Sequence, residues 1–409
     1  MPGNQLTIWW VNQYAVVPTG SGGTRHYDMS RELRRLGLNT RVVASDLSLL
    51  SRSYALRSGP LDLRHVAQDV EGVPFSWLPA GSYRANDWRR AASMLVFAVA
   101  VFIFLMTRRL RKEDVIIGSS PHLFGALAAW TAAKLRRRPF VFEVRDLWPE
   151  SFTAVSGQDS GLGVTLMRRV SDLLYRNSDA IVILAEGSRD VVVQNGGDPR
   201  SITWIPNGVD TSSFRPREER ATFPPVRFVY AGAHGPANGL DVVVDAVAML
   251  RDRGRDDVEV LLVGDGPVKA ALAEQATRLD APVTFQDPVP KSEVPDVLSS
   301  CDVGLMVLAD VELFSFGVSP NKLFDYMAAD LPVLTNVPGF VSHVVKDSRC
   351  GTSVAAGDAT ALADGMEMMA DHLLAGDERF TSGRAYIEQN FERRALARQL
   401  ASVLRSVSR

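Results

Sequence analysis

The segment Phe316–Ala329 reads FGVSPNKLFDYMAA and concentrates residue types that can bind phosphate. Ser319 is a residue of the helix-capping type. Pro320 suits the first helical position, where its missing N–H does no harm. Asn321 and Lys322 then present backbone amides at a helix start. Such an end carries about half a positive charge and attracts phosphate, and Lys322 adds a full charge there. Asp325 lies six residues after Ser319, about one and a half turns into the helix, where its carboxylate could accept two hydrogen bonds from a ribose diol. Alone, Ser-Pro marks an ordinary capped helix with Lys322 and Asp325 on its solvated face. The surrounding strand pattern favours the phosphate reading.

Other candidates are loops at strand ends. Gly22 and Gly23 follow the first apolar run and precede a helical stretch, and Arg25 stands just after them. Glycines let a backbone approach a ligand closely, and ligands gather at the carboxyl ends of strands in open α/β sheets. A glycine pair alone is usually only a turn. Asp146 follows another strand end and would otherwise be a loop-capping carboxylate; Glu150 could cap the same loop or touch a substrate. The six histidines are scattered, with no HxxxH or HxH pair and no convincing Asp-x-Asp. No metal site is expected.

The elements that must position these residues alternate. Strands are expected at Leu6–Val11, Thr40–Ala44, Val115–Gly118, Phe140–Val144 and Ala180–Leu184, with helices such as Thr24–Leu36 and Leu123–Leu135 between them. The order restarts with strands at Val226–Ala231, Val258–Val263, Val283–Phe285, Val303–Val307 and Pro332–Thr335. Helices are expected there at Leu240–Arg251, Val268–Arg278, Val294–Ser299 and Asn321–Ala329. This is the pattern of parallel sheets covered on both faces, an α/β fold. The 409 residues exceed one core, so two domains are expected. Residues 1–205 form the first and 206–384 the second, with 205–225 as linker and a final basic helix, within 385–409, returning to the first. Net charge is −2 with 46% apolar residues, so composition gives no reason to expect nucleic acid. Two cysteines, Cys301 and Cys350, suit a reducing compartment. No signal peptide is read at the N-terminus, and the expected location is the cytoplasm.

Ala91–Met106 carries no charge over 16 residues. It is short for a membrane span, which needs roughly 20 apolar residues. Arg89 and Arg90 precede it, and Arg108, Arg109, Arg111 and Lys112 follow. It is either a helix buried beside the sheet or one that meets a membrane surface from the cytoplasmic side. On the second reading Phe97 and Val101 serve as exposed positions to test.

SPNKLFDYMAADLPVL resembles the donor-site signature of family-4-type retaining glycosyltransferases, in the subgroup that builds bacterial surface polysaccharides. IPNGVDTSSFRP, YAGAHGPANGLDVVVDA, LLVGDGP and VTFQDPVPKSEVPDVLSSCDVGLMVL resemble further pieces of that family in order. GSGGTRHY and FEVRDLWPES are similar to loops of aminosugar transferases of O-antigen assembly. The resemblance implies the GT-B fold, two Rossmann-like domains facing a cleft. It implies retaining transfer of an N-acetylated hexosamine or deoxyhexosamine from a UDP-linked nucleotide-sugar donor, without a cofactor. The membrane-surface reading of Ala91–Met106 points in turn to an acceptor that a polyprenyl diphosphate could carry.

The same resemblance implies that donor contacts come from Gly232, His234, Gly264, Asp287, Pro288, Val289, Ser319, Pro320, Asn321, Lys322 and Asp325, with Gly22, Gly23 and Arg25. Gln286–Val289 would border the nucleobase through backbone groups. Asp146 would orient the acceptor hydroxyl, and Arg145 stands where many relatives carry an active-site His; a structural ion pair is its other reading. The family acid before Asp325 is Gly317 here, leaving Glu312 as a candidate. A basic pair is replaced by Ala233 and Asn238, which throws phosphate charge onto Lys322, backbone amides, His234 or Arg25. Two alternatives share the architecture: a non-catalytic nucleotide-sugar binding protein and a sugar-nucleotide 2-epimerase.

Overall fold

The computed structural model describes residues 6–20, 23–47, 53–59, 62–83, 88–156, 160–215, 224–316, 318–377, 379–380 and 383–408. Two compact units emerge. One comprises Met1–Val17, Gly23–Pro206 and Arg394–Arg409; the other comprises Pro18–Gly22 and Asn207–Arg393. The glycine stretch after the first strand is thus divided between them, and the return to the first unit begins at Arg394 rather than at residue 385.

The first unit runs β1 (Thr7–Val11), α1 (Arg25–Arg35), β2 (Asn39–Ala44), β3 (Val66–Val70), β4 (Val73–Trp77) and α2 (Trp88–Thr107). It continues with β5 (Val115–Ser119), α3 (Leu123–Leu135), β6 (Phe140–Val144), α4 (Glu150–Ser156), α5 (Leu162–Asn177), β7 (Ala180–Ile183), α6 (Ser188–Gln194) and β8 (Ile202–Trp204). Its sheet has the order β3-β4-β2-β1-β5-β6-β7-β8, parallel except for the β3–β4 hairpin. That hairpin is absent from the sequence expectation. Its turn residues Glu71 and Gly72 both have positive φ, 48° and 85°, as a tight hairpin turn requires.

The second unit runs β9 (Val226–Ala231), α7 (Leu240–Asp252), β10 (Val258–Val263), α8 (Lys269–Leu279), β11 (Val283–Gln286), α9 (Val294–Ser299) and β12 (Val303–Met306). Then come α10 (Asn321–Ala328), β13 (Val333–Thr335), α11 (Phe340–Asp347), β14 (Gly351–Ser353), α12 (Ala359–Leu374) and α13 (Gly383–Asn390). Its strands are ordered β11-β10-β9-β12-β13-β14 and are all parallel. The core lies where β9, β10 and β12 meet α7 and α12, around Phe228, Leu262, Val303, Val244 and Met366.

The last helix, α14 (Arg393–Val407), buries Leu396, Leu400 and Leu404 with Ile8, Trp10 and Val141 in the first unit's core. The spacing of four puts these leucines on one helix face, and each contributes roughly 1.5–3 kcal/mol by leaving water.

α2 resolves into two apolar faces. Phe97, Val101 and Leu105 are fully buried, whereas Leu95, Val96, Val99 and Ile103 are exposed, Val99 by 58%. The test positions Phe97 and Val101 are therefore core residues. A helix apolar all round carries no sequence signal of which face turns inward. The C-terminal end of α2 is fastened by α3 and the turn after it. Arg136 donates to the carbonyls of Met106 and Arg108 at 2.6 and 3.1 Å, and Arg138 donates to that of Lys112 at 3.2 Å. Arg109, Arg111, Lys112, Lys134 and Arg137 remain exposed around this junction.

Candidate functional site

In the second unit the winding reverses between β9 and β12, so the loops leaving these strands open where ligands bind in doubly wound sheets. The loop after β9 begins at Gly232. The chain after β12 passes through a 3₁₀ turn, Glu312–Phe316, and enters α10.

The start of α10 differs from the expected cap. Pro320, with ψ at 126°, is the cap residue, and no side chain caps the helix. The Ser319 hydroxyl accepts from the Asn207 backbone N–H at 3.0 Å, and the Ser319 carbonyl accepts from Asn207 Nδ2 at 2.6 Å. Asn207 thus engages the oxygen that would have turned to the helix, which begins one residue later. The first amides, on Asn321, Lys322 and Leu323, have no intrahelical acceptor and no side-chain cap.

Lys322 Nζ stands 3.2 Å from Tyr230 Oη and 4.4 Å from the centre of that ring. Desolvation lowers its ammonium pKa to about 8, and among the described residues no carboxylate pairs with it. A desolvated cation without a counter-ion, beside open helix amides, is suited to an anion from outside. Asp325 is buried, and its carboxylate is ion-paired with Lys291 from the turn after β11. Sequence reading missed Lys291; its one signal was its place just beyond Gln286–Val289.

The loops beside α10 are pressed together. A Cβ at Gly264, whose φ is +148°, would lie 1.9 Å from the Gly232 carbonyl oxygen. The His234 N–H donates to the Asp265 carbonyl at 2.8 Å. The His234 ring is fully buried near Tyr230 and Phe285, with both nitrogens unpartnered. Desolvation foremost, with Lys269, lowers its pKa, which disfavours the charged ring there. Asp287 is exposed and pairs with Lys269 at 2.7 Å; Pro288 is exposed and Val289 half-buried. Ala233 is exposed, and Asn238 Nδ2 reaches the Gly235 carbonyl at 3.4 Å. Glu312 borders a small cavity of about 50 Å³ with Asp310 and Asn336.

The first unit reverses between β1 and β5. Arg25 lies there, but it is a buried structural residue rather than a phosphate ligand. Its Nε donates to Glu143 at 2.8 Å, and its terminal nitrogens donate to the Pro206 and Ile205 carbonyls at 2.7 and 3.1 Å. Glu143 also accepts from Ser119 and from Trp10. Burial opposes ionisation of Glu143, yet Arg25 foremost, with His26 and Arg145, outweighs it and holds the carboxyl far below its usual range. Gly22 and Gly317 lie outside the described residues. Gly23 directly precedes Thr24, whose hydroxyl bonds Asp28 at 2.6 Å.

Asp146 is exposed at the end of β6. Desolvation by the surrounding chain raises its carboxyl pKa, against the pull of Arg145. The Ser120 hydroxyl fixes this turn, accepting from the Arg145 and Asp146 N–H groups and donating to the Asp146 carbonyl. The buried Nε of Arg145 has no hydrogen-bond partner. Glu150 meets Arg168 at 3.9 Å. Among the described residues no group of three or more His, Cys, Asp or Glu could hold a metal ion.

Residues 20–208 match the glycosyl transferase 4-like domain, and residues 225–372 match the glycosyl transferases group 1 family. WcaL of Escherichia coli (strain K12), assigned as a colanic acid biosynthesis glycosyltransferase, is 24% identical over 94% of this chain and 95% of its own. The Salmonella typhimurium WcaL is 25% identical, and that match spans 57% of this chain and 58% of the relative's length. Sucrose-phosphate synthase from Thermosynechococcus elongatus has TM-score 0.76 at 16% identity, covering 98% of this chain and 99% of that one. Anabaena Alr3699/HepE in complex with UDP-glucose has TM-score 0.68 at 17% identity, covering 98% and 100%. The chain therefore carries a glycosyl transferase 4-like domain followed by a glycosyl transferases group 1 domain, on the GT-B fold, and is a glycosyltransferase.

Proposed function

We propose that this glycosyltransferase moves an N-acetylated hexosamine or deoxyhexosamine from a UDP-linked donor to a lipid-linked acceptor, with retention and without a metal, during assembly of a surface polysaccharide or glycoconjugate. The observation that carries the reading is Lys322, a cation without a carboxylate partner among the described residues, at the uncapped start of α10. Departure of the nucleoside diphosphate puts negative charge on its outer phosphate. Fixed amides and an ammonium aimed at that charge lower the barrier. Asp325, held by Lys291, is placed to accept from the ribose. The HepE complex supports a UDP-sugar donor.

Retention follows if the acceptor hydroxyl attacks from the face the diphosphate leaves, the departing phosphate oxygen taking its proton. Asp146, in the first unit, orients that hydroxyl; its raised pKa makes it the stronger hydrogen-bond acceptor. The exposed apolar face of α2 and the basic residues at its end suit a lipid surface on the cytoplasmic side. A second reading, a nucleotide-sugar binding protein without turnover, is favoured by the uncharged Ala233 and Asn238.

A donor panel with a polyprenyl-diphosphate-linked sugar as acceptor, run in excess chelator, tests transfer. A UDP-linked amino sugar should raise the thermal midpoint and release UDP only with acceptor present. Binding without release would leave the second reading, and a panel without any thermal shift would overturn both. Replacing Leu95 and Val99 together by Asp should free the protein from anionic liposomes at an unchanged thermal midpoint; retention on the liposomes would reject the membrane role of α2.

A further inference from the structure

Two tyrosines cross between β9 and α10, the elements that present the Gly232 loop and the open amides. Tyr326 of α10 accepts a hydrogen bond from the Ala231 N–H at the end of β9, at 3.0 Å. In the opposite sense, Tyr230 of β9 accepts from Lys322 of α10, at 3.2 Å. Gly304 of β12 makes room for this arrangement, since a Cβ there would come within 2.5 Å of the Tyr326 ring.

The Tyr230 hydroxyl has a fixed direction. It donates its own proton to the Ala233 carbonyl at 2.9 Å, so a lone pair faces Lys322. The ring, fully buried, offers its face to the same ammonium, an attraction that strengthens when water is excluded. Gly232 keeps the approach open: a Cβ there would lie 3.1 Å from Tyr230 Oη and 3.2 Å from Lys322 Cε.

We propose that Tyr230 is a positioning residue for the donor diphosphate, acting through Lys322, whose ammonium it holds at the mouth of α10 before the donor arrives. The proposal rests on the donor-site reading above. A lysine side chain is flexible and loses rotamer freedom when it binds a ligand; holding it in place beforehand removes that cost from the binding step. Among the described residues of the Gly232–Gly239 loop and the α10 start, Lys322 is the sole cation, so no other side chain there compensates if it wanders.

The test is a double-mutant cycle read by calorimetry with UDP, and with GDP in parallel. Tyr230→Phe keeps the ring and removes only the hydroxyl. It should weaken nucleoside-diphosphate binding about fivefold, the size of one net hydrogen bond. In the Lys322→Ala background the same change should have no further effect. An equal loss in both backgrounds would make Tyr230 a core residue and overturn the proposal. Tyr326→Phe, which breaks the other bond without touching Lys322, should show no such coupling; coupling of the same size there would also overturn it. If Lys322→Ala itself leaves UDP and GDP affinity intact, the donor-site reading fails and nothing remains to be positioned.

Discussion

The two units are wound alike, with the strand order reversing beside the first strand of each, and both carry a cation there. In the first unit that cation is Arg25, enclosed by a carboxylate and two carbonyls. In the second it is Lys322, which has a phenol and a ring face but no counter-ion among the described residues. The same topology therefore supports opposite uses of positive charge. Saturated, it is part of the core; unsaturated, it is a binding site. Topology says where a ligand can sit, and the hydrogen-bond inventory says whether one is wanted.

The largest expected effect comes from breaking the saturated side. Arg25→Met takes from the buried Glu143 its nearest charge partner, leaving Ser119, Trp10 and His26 beside it, and removes a donor from each of the Pro206 and Ile205 carbonyls. It should cost the first unit about 3–5 kcal/mol in denaturant unfolding while UDP affinity stays as it was. A variant as stable as the parent would erase the contrast between the units.

The second effect has the opposite signature. Lys322→Ala should weaken UDP binding by about 1.5–3 kcal/mol, as for a charge-assisted hydrogen bond. Because the ammonium has a pKa of about 8 in the folded protein and only the charged form serves a diphosphate, UDP affinity should be full below pH 8. It should fall as the pH rises through it. The variant should show a flat profile over that range. Stability runs the other way. A lysine whose folded pKa lies below its unfolded one is a burden below pH 8, relieved as the pH climbs towards the ordinary lysine range. Lys322→Met should therefore melt higher than the parent at pH 7 and lose that advantage in strong base. A lower midpoint at pH 7 would mean that Lys322 supports the fold.

The smallest effect sharpens the ribose end. Asp325→Asn should lose about 0.5–1.5 kcal/mol for UDP and less for its 2′,3′-dideoxy analogue. Equal losses would make Asp325 a support for Lys291 alone.

How much of this was legible in the sequence depended on range. β9 and β10 stand where apolar runs bounded by glycine and charge placed them, and SPNK announced a helix start. What stayed hidden were pairings across long separations. Nothing near Arg25 in sequence points to Glu143, and nothing near Ser319 points to Asn207, so the saturated arginine read as a ligand and the diverted serine as a cap. Lys291 and Tyr230 were hidden for the same reason. The β3–β4 hairpin was missed on different grounds. Val66–Val70 is an edge strand largely out of the core, and Gln68 and Asp69 interrupt its apolar residues, so it lacks an apolar run; only the Glu-Gly turn gave it away.

The placement of α14 has a consequence for how the molecule comes into being. Leu396, Ala397, Leu400, Ala401 and Leu404 complete a core begun by Ile8 and Trp10, so residues made before the second unit wait for residues made after it. Asn207–Arg393 holds nearly all of the second unit in one continuous stretch, and can close on the ribosome while the first unit's sheet still has an open flank. The second unit is thus free to fold before the first is complete, against the usual tendency of N-terminal domains to fold first. A truncation that removes α14 should expose the apolar surface of β1, β5 and β6 in the first unit.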